Sequence, residues 1–321
     1  MLRRVDFWKE EREAPILRLN YSFLPSTKIL ERIDDDIEET STGSLNYERI
    51  IRHDAERTFV GPAQQRTLME VLSCLQNEFG SYHQAMSYVA GFLLLTHSPS
   101  KVIETMRQLH RTVLVGYWTA EPVAFAIDAY VFDYLLANHE PEIHEHLAKN
   151  YIFPETYAQK WFTTLCVGVL PFEALFLFFD THVTQSLIEA SNIFLFQFAL
   201  SLMKHIREGL LNSKKVADIY GYLRLDPSLP LFDPKANDLT ISIVQHAKDY
   251  DLSQYDFVHL RQKVFEEKLK ARLEAANRAH KENKESQDSI ATSSDDDEDE
   301  EETVPPTMEN LVTHMKQLRI E

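Results

Sequence analysis

Glycine is scarce in this chain, at 8 of 321 residues. Sandwiches and barrels turn on glycine-rich connections at short intervals, so this shortage argues against a strand-built fold. No stretch of apolar/polar alternation lasts long enough to mark a half-buried strand, and nothing repeats at a fixed period. Cysteine is scarcer still, at two residues. Cys74 (in SCLQ) and Cys166 (in LCVGV) sit in apolar helical surroundings and read as buried free thiols of a reducing compartment, not as a disulfide. Positive charge is in deficit: 33 Lys and Arg stand against 50 Asp and Glu, a net −17. Setting aside the eight acidic residues of Asp295 to Glu302 (DDDEDEEE) takes the net charge from −17 to −9. That mildly acidic body offers no basic face for nucleic acid. Long apolar runs are also missing. The most apolar stretch, Thr163 to Phe179, is interrupted by Pro171 and Glu173 and is too short to span a bilayer; it reads as a buried helix pair broken at Pro171. The N-terminal MLRRVDFWKEE has no apolar run, so no signal peptide is expected. There is no G-x-x-x-x-G-K-S/T loop, and no nucleotide site of the chain's own is expected.

What is present is helical spacing. The composition is 44% hydrophobic, enough for one large or two small domains with a core. Residues 1 to about 45 are poorly periodic, and IDDDIEETSTGS (Ile33 to Ser44) reads as a loop. A short helix is expected over Tyr47 to Thr58. Pro62 opens the next, Leu68, Val71, Leu72, Leu75 and Phe79 recur at three- and four-residue steps, and Gly80 closes it. After GSYHQ a further helix carries Met86, Val89, Ala90, Leu93 and Leu94. Breaks are expected near Ser98–Pro99, Gly116, Glu121–Pro122, Glu140–Pro141, Phe153–Pro154 and Pro171, with a long amphipathic helix from Asn192 to Leu210. A short helix, a proline-rich loop (DPSLPLFDPKAND) and a helix around Asp238 to His246 follow. Tyr255 to about Lys284 is rich in Lys, Arg, Glu and Ala and thins in apolar residues along its length, so its last half is expected to project into solvent, as a single helix and not a coiled coil. Residues 285–306 are acidic and of low complexity, and read as disordered. Thr307 to Ile320 recovers helical spacing at Met308, Leu311, Val312, Met315 and Leu318, as a short amphipathic helix suited to docking on a partner or on the chain itself. The fold class expected is all-α.

Smaller features have ordinary readings. His139, His144 and His146 (NHEPEIHEH) do not share a helical face, because Pro141 breaks the run, so no metal site is expected there. Tyr117–Trp118 and Trp161–Phe162 are core candidates. Ser293 and Ser294 precede the acidic run, which suits either an acidophilic kinase or a plain solubilising spacer.

The stretch IIRHDAERTF (Ile50 to Phe59) closes a helical turn on Arg57. A lone arginine there is ordinarily solvated. However, Ile51, Asp54 and Arg57 read I-x-x-D-x-x-R, with Thr58 next, and Tyr82 and Gln84 then read Y-x-Q, with Met86 close behind. The two motifs in this order resemble the signature of the TBC domain, the Rab GTPase-activating protein fold. The likeness continues through YIFPETYAQKWFTTL (Tyr151 to Leu165), Leu170–Pro171, the FFD ending at Asp180, and Asn192 to Leu211, and more weakly to about residue 265. Ala85 stands where the family has glycine, and Phe179 where it usually has tryptophan. The family's opening R-x-G-I/V-P segment is absent from the first 45 residues.

The resemblance implies an all-helical TBC fold of two lobes that accelerates GTP hydrolysis by a Rab-type small GTPase in its GTP form. Arg57 and Gln84 would enter the GTPase site in trans. Asp54 would hold the Arg57 guanidinium, Tyr82 would fix the loop of Gln84, Ile51 would anchor the arginine helix, and Thr58 completes the motif. GTP and Mg²⁺ would be carried by the partner, with no cofactor or metal of the chain's own. The implied setting is cytoplasmic and peripheral on endomembranes through the partner, in vesicle traffic. On this reading residues 1–45 are an atypical N-terminal segment, 46–265 the TBC domain, 266–284 a charged helix extension, 285–306 an acidic linker and 307–321 a short amphipathic helix. The alternative is a TBC scaffold that binds a GTPase or another protein without speeding hydrolysis. His53 and His83 flank the motifs and read as exposed spectators.

Overall fold

Proline opens four of the helices, at Pro62, Pro99, Pro141 and Pro154. The structure is a computed structural model that describes residues 42–119, 122–226, 228, 229, 237–271 and 275, and among these there is no strand. The N-terminal segment 1–41, the acidic segment 285–306, the terminal amphipathic helix and the outer half of the charged helix lie outside the described residues. Two compact units divide between Met106 and Arg107.

The first unit holds α1 (Thr42–Thr58), α2 (Pro62–Phe79), α3 (Ala85–Leu93) and the start of α4 (Pro99–Gln108). Helix α1 begins earlier than the Tyr47 expected; its first residues, TGSL, carry no apolar period that would mark them as helix. It turns Ile51, Asp54 and Ala55 inward and Arg52, His53 and Glu56 outward. In α2 Pro62 occupies the first turn, where its missing N–H is no loss, and Leu68, Val71, Leu72 and Leu75 are buried. Each such side chain contributes about 1.5–3 kcal/mol on burial. Gly80 ends α2 in the left-handed region at φ 72°, and its N–H donates to the Gln76 carbonyl, a closure that glycine makes without a Cβ penalty. Helix α3 is buried except for outward Tyr88. It lies against α1 and α2. A Cβ on Gly91 would stand 2.7 Å from the Thr58 Cγ2, so the last residue of α1 rests on bare α3 backbone.

The second unit is built on two buried helices, α5 (Val123–His139) and α10 (Ile193–Asn212). Between them in sequence come α6 (Pro141–Lys149), α7 (Pro154–Phe162), α8 (Phe172–Phe178) and α9 (Thr184–Glu189); after them come α11 (Val216–Leu223), α12 (Asn237–Gln245) and α13 (Phe257–Val264). Helix α10 packs on α5, α6, α7, α11 and α12. Tyr117, Trp118, Trp161 and Phe162 are buried, as expected. The two indole N–H groups are satisfied by carbonyls, Trp118 by Thr163 at 2.9 Å and Trp161 by Leu223 at 3.1 Å, as buried tryptophan requires. Phe132 meets Tyr157, Trp161 and Phe162 edge-on.

One expectation is corrected here. Only the second member of the helix pair around Pro171 exists: α7 ends at Phe162, and residues 163–170 are turns. The hydroxyl of Thr163 returns to the Gln159 carbonyl, the Cys166 N–H returns to Trp161, and Leu165, Cys166 and Gly168 all take positive φ. Two adjacent threonines that bond back to the chain compete with helix, and Gly168 gives the turn its exit. Cys166 is buried and Cys74 only half-buried; both are free thiols.

A charged cluster sits inside this unit. Asp128 of α5 accepts from the Arg261 Nε at 2.6 Å, the Tyr117 hydroxyl at 2.6 Å and the Asn192 amide at 2.9 Å. Arg261 of α13 also donates to the Asn192 Oδ1 at 2.8 Å. Every partner is thereby answered, which is the condition for burying a charge at all. The buried stripe of α13, Phe257, Leu260 and Val264, continues through Phe265 and Leu269, so the first half of the charged stretch is packed against α5. His139 lies near the Tyr255 hydroxyl and His144 near Asp133. Among the described residues no helix is long and apolar enough to cross a membrane.

Candidate functional site

Asp54 organises the first unit's polar face. It lies on the inward side of α1 and its side chain is 5% exposed, so its carboxylate needs donors. Tyr82, in the loop before α3, donates its hydroxyl to Oδ2 at 2.7 Å. Gln84 donates its Nε2 to Oδ1 at 3.1 Å. Arg57, one turn along α1, brings NH1 to 3.8 Å from the same Oδ1. At that distance charge draws the guanidinium toward the carboxylate without a hydrogen bond, so its planar donors are not spent on Asp54. Arg57 is 72% exposed, and Gln84 is exposed. The structure therefore brings together the two residues singled out as fingers, on one buried oxygen and open to solvent.

The remaining motif residues hold this arrangement. Ile51 is buried and seats α1 in the core. The Thr58 hydroxyl returns to the Asp54 carbonyl at 2.7 Å, which fixes its rotamer against Gly91. Tyr82 is buried, and burial, the bond to Asp54 and that residue's charge together push its hydroxyl well above the usual tyrosine range. It therefore stays protonated and keeps donating.

Sequence reasoning missed two residues. Ser87, in the first turn of α3, donates its hydroxyl to the Gln84 carbonyl at 2.8 Å. His83, read as an exposed spectator, is half-buried, and its Nδ1 accepts the Ala85 N–H at 3.2 Å. Burial lowers its pKa, which favours the neutral, accepting ring. The available signal was position: a polar side chain just ahead of an apolar helical run is where an N-cap belongs. His53 is exposed and lies 3.3 Å from Glu56. Ala85, where the family has glycine, is buried at the start of α3. No group of three or more His, Cys, Asp or Glu among the described residues is placed to hold a metal.

Comparison with known proteins completes the description of this site. A profile of the Rab-GTPase-TBC domain matches residues 18–211, starting inside the segment set apart above and ending with α10. Carabin of Mus musculus is 30% identical over 150 residues, 46% of this chain and 33% of that protein. TBC1 domain family member 4 of Mus musculus is 28% identical over 160 residues, 49% of this chain and 12% of that protein. Growth hormone-regulated TBC protein 1 of Rattus norvegicus is 27% identical over 166 residues, 51% of this chain and 56% of that protein. The match thus spans less than two thirds of each relative's own length. The crystal structure of the Chlamydomonas flagellar RabGAP TBC domain shares the fold, with a TM-score of 0.51, 20% identity and coverage of 65% of this chain and 69% of that one.

Proposed function

We propose a function from one premise: the chain belongs to the Rab-GTPase-TBC domain family, whose profile covers residues 18–211. On that premise the protein is a GTPase-activating protein for a Rab-type small GTPase in its GTP form, and Arg57 and Gln84 are the residues it supplies in trans. The observation that carries the reading is their convergence on the Asp54 Oδ1 from two separate segments, with both side chains exposed.

The chemistry suits the residue types. As the γ-phosphoryl group transfers, negative charge grows on the oxygens around it, and a guanidinium offers fixed charge with several planar donors. An arginine finger is worth roughly 10³ to 10⁵ in rate. The attacking water must be oriented, and a carboxamide both accepts from and donates to it without adding charge. With Nε2 on Asp54, the Gln84 Oε1 is the end that would accept from the water. The nucleotide and Mg²⁺ belong to the partner. Asp54 holds both fingers near their working positions before docking, so less side-chain freedom is lost on binding. Membrane association through the partner, and a place in vesicle traffic, follow from this reading.

The test is phosphate release from a panel of GTP-loaded Rab-type proteins. Wild type is expected to stimulate at least one by orders of magnitude, Arg57→Ala to remove about 10³-fold or more of that rate, and Gln84→Ala to remove much of it. No stimulation across a broad panel, with binding retained, would leave a TBC scaffold instead.

A further inference from the structure

His83 stands between Tyr82 and Gln84. Its ring Nδ1 accepts the Ala85 N–H at 3.2 Å, and its carbonyl accepts the Met86 N–H at 2.9 Å. A helix start leaves its first N–H groups without intrahelical partners, and short polar side chains such as Asn, Asp and Ser ordinarily answer one of them. Here an imidazole does so. Gln84 itself already has helical backbone angles, φ −54° and ψ −30°. The Ser87 hydroxyl and N–H both hold the Gln84 carbonyl, at 2.8 and 3.1 Å. The direction in which the Gln84 carboxamide leaves the chain is therefore set by where α3 begins, and the His83 ring holds that beginning.

We infer that His83 is a positioning residue for Gln84: standing just ahead of α3 and accepting the Ala85 N–H, its ring fixes the backbone from which the carboxamide reaches Asp54. Accepting at Nδ1 requires the tautomer with its proton on Nε2. This role rests on the reading of Gln84 as a finger. It distinguishes His83 from an ordinary loop residue in a checkable way, because asparagine places its Oδ1 where the imidazole places Nδ1, whereas phenylalanine keeps the ring and loses the acceptor.

The test compares full-length His83→Asn and His83→Phe with wild type, on the GTPase that wild type stimulates most. His83→Asn is expected to retain the wild-type kcat. His83→Phe is expected to lower kcat about 5-fold or more with KM unchanged, the signature of a group needed only in the transition state. A second readout needs no GTPase: the ¹⁵N side-chain amide signals of Gln84, identified by their loss in Gln84→Ala. They are expected to coincide in wild type and His83→Asn and to move in His83→Phe as the bond to Asp54 is lost. If wild type stimulates no GTPase, the function proposed above fails, and the amide signals still decide the role of His83. A His83→Phe protein with wild-type kcat and unmoved Gln84 signals overturns the inference, as does a His83→Asn protein as slow as His83→Phe.

Discussion

Exchanging Asp54 for asparagine keeps the side chain's shape and removes its charge. The Arg57 contact at 3.8 Å is electrostatic, so Asp54→Asn should release the guanidinium while Tyr82 can still donate. A finger displaced by about an ångström loses on the order of 10²-fold in rate. On the function proposed above, single-turnover phosphate release is expected to slow by about that factor, with affinity for the GTP-form partner nearly unchanged. Tyr82→Phe acts on stability instead. It removes a donor to a buried carboxylate, a loss of about 1.5–3 kcal/mol that urea unfolding would read. It also changes the alkaline limb. The folded state holds the Tyr82 proton more tightly than the unfolded chain, whose hydroxyl titrates near the usual 10.0. Its contribution to stability is therefore fully present and independent of pH below that value, and is lost above it by about 1.4 kcal/mol per pH unit until the raised folded value is passed. Tyr82→Phe should flatten this decline. Arg57 and Gln84 stood out in the sequence because both belong to motifs of fixed spacing. The sharing of Asp54 did not. Its pairing with Arg57 is a local helical contact, but Tyr82 and Gln84 reach it from 28 and 30 positions away, a closeness that only the packing of α3 on α1 creates.

Helix α3 approaches α1 at a single bare point. Thr58 cannot simply turn away from a new Cβ on Gly91, because its hydroxyl is tied to the Asp54 carbonyl and its χ1 is stiff. Gly91→Ala should cost about 1–3 kcal/mol, less what alanine returns in helix propensity. Thr58→Ser deletes the offending Cγ2 and keeps the hydroxyl, so the double variant should regain most of the loss; equal, additive losses in urea unfolding would refute this contact. Elements were legible wherever they began with a mark. Pro62, Pro99, Pro141 and Pro154 each begin a helix, and Gly80 ends one. They were illegible where apolar composition serves two structures equally. Residues 163–170 have the content of a buried helix, and the threonine back-bonds and positive φ values that make them turns are properties of the folded backbone. The true start of α1 was hidden for the opposite reason, since TGSL has no apolar period.

Across the whole chain, scarce glycine and helical spacing announced an all-α protein, and the two motifs announced its family. The charged cluster of the second unit was invisible, because nothing local links Tyr117, Asp128, Asn192 and Arg261. Arg261→Met should cost about 3–5 kcal/mol by leaving the Asp128 carboxylate buried without its cation. Adding Asp128→Asn to that variant should return part of the loss, and urea unfolding of the two proteins would check the order. Tyr117 extends the alkaline prediction to this unit: burial and Asp128 raise its hydroxyl, so stability here also declines above about pH 10. The same cluster has a consequence for biosynthesis. A ribosome adding roughly 5–20 residues per second needs about 7 to 27 s to travel the 133 positions from Asp128 to Arg261. Throughout that interval the nascent carboxylate has no counter-ion, and the surrounding aromatic layer cannot close over it. Translation thus delivers this counter-ion late, and the cluster can close only once α13 has been made.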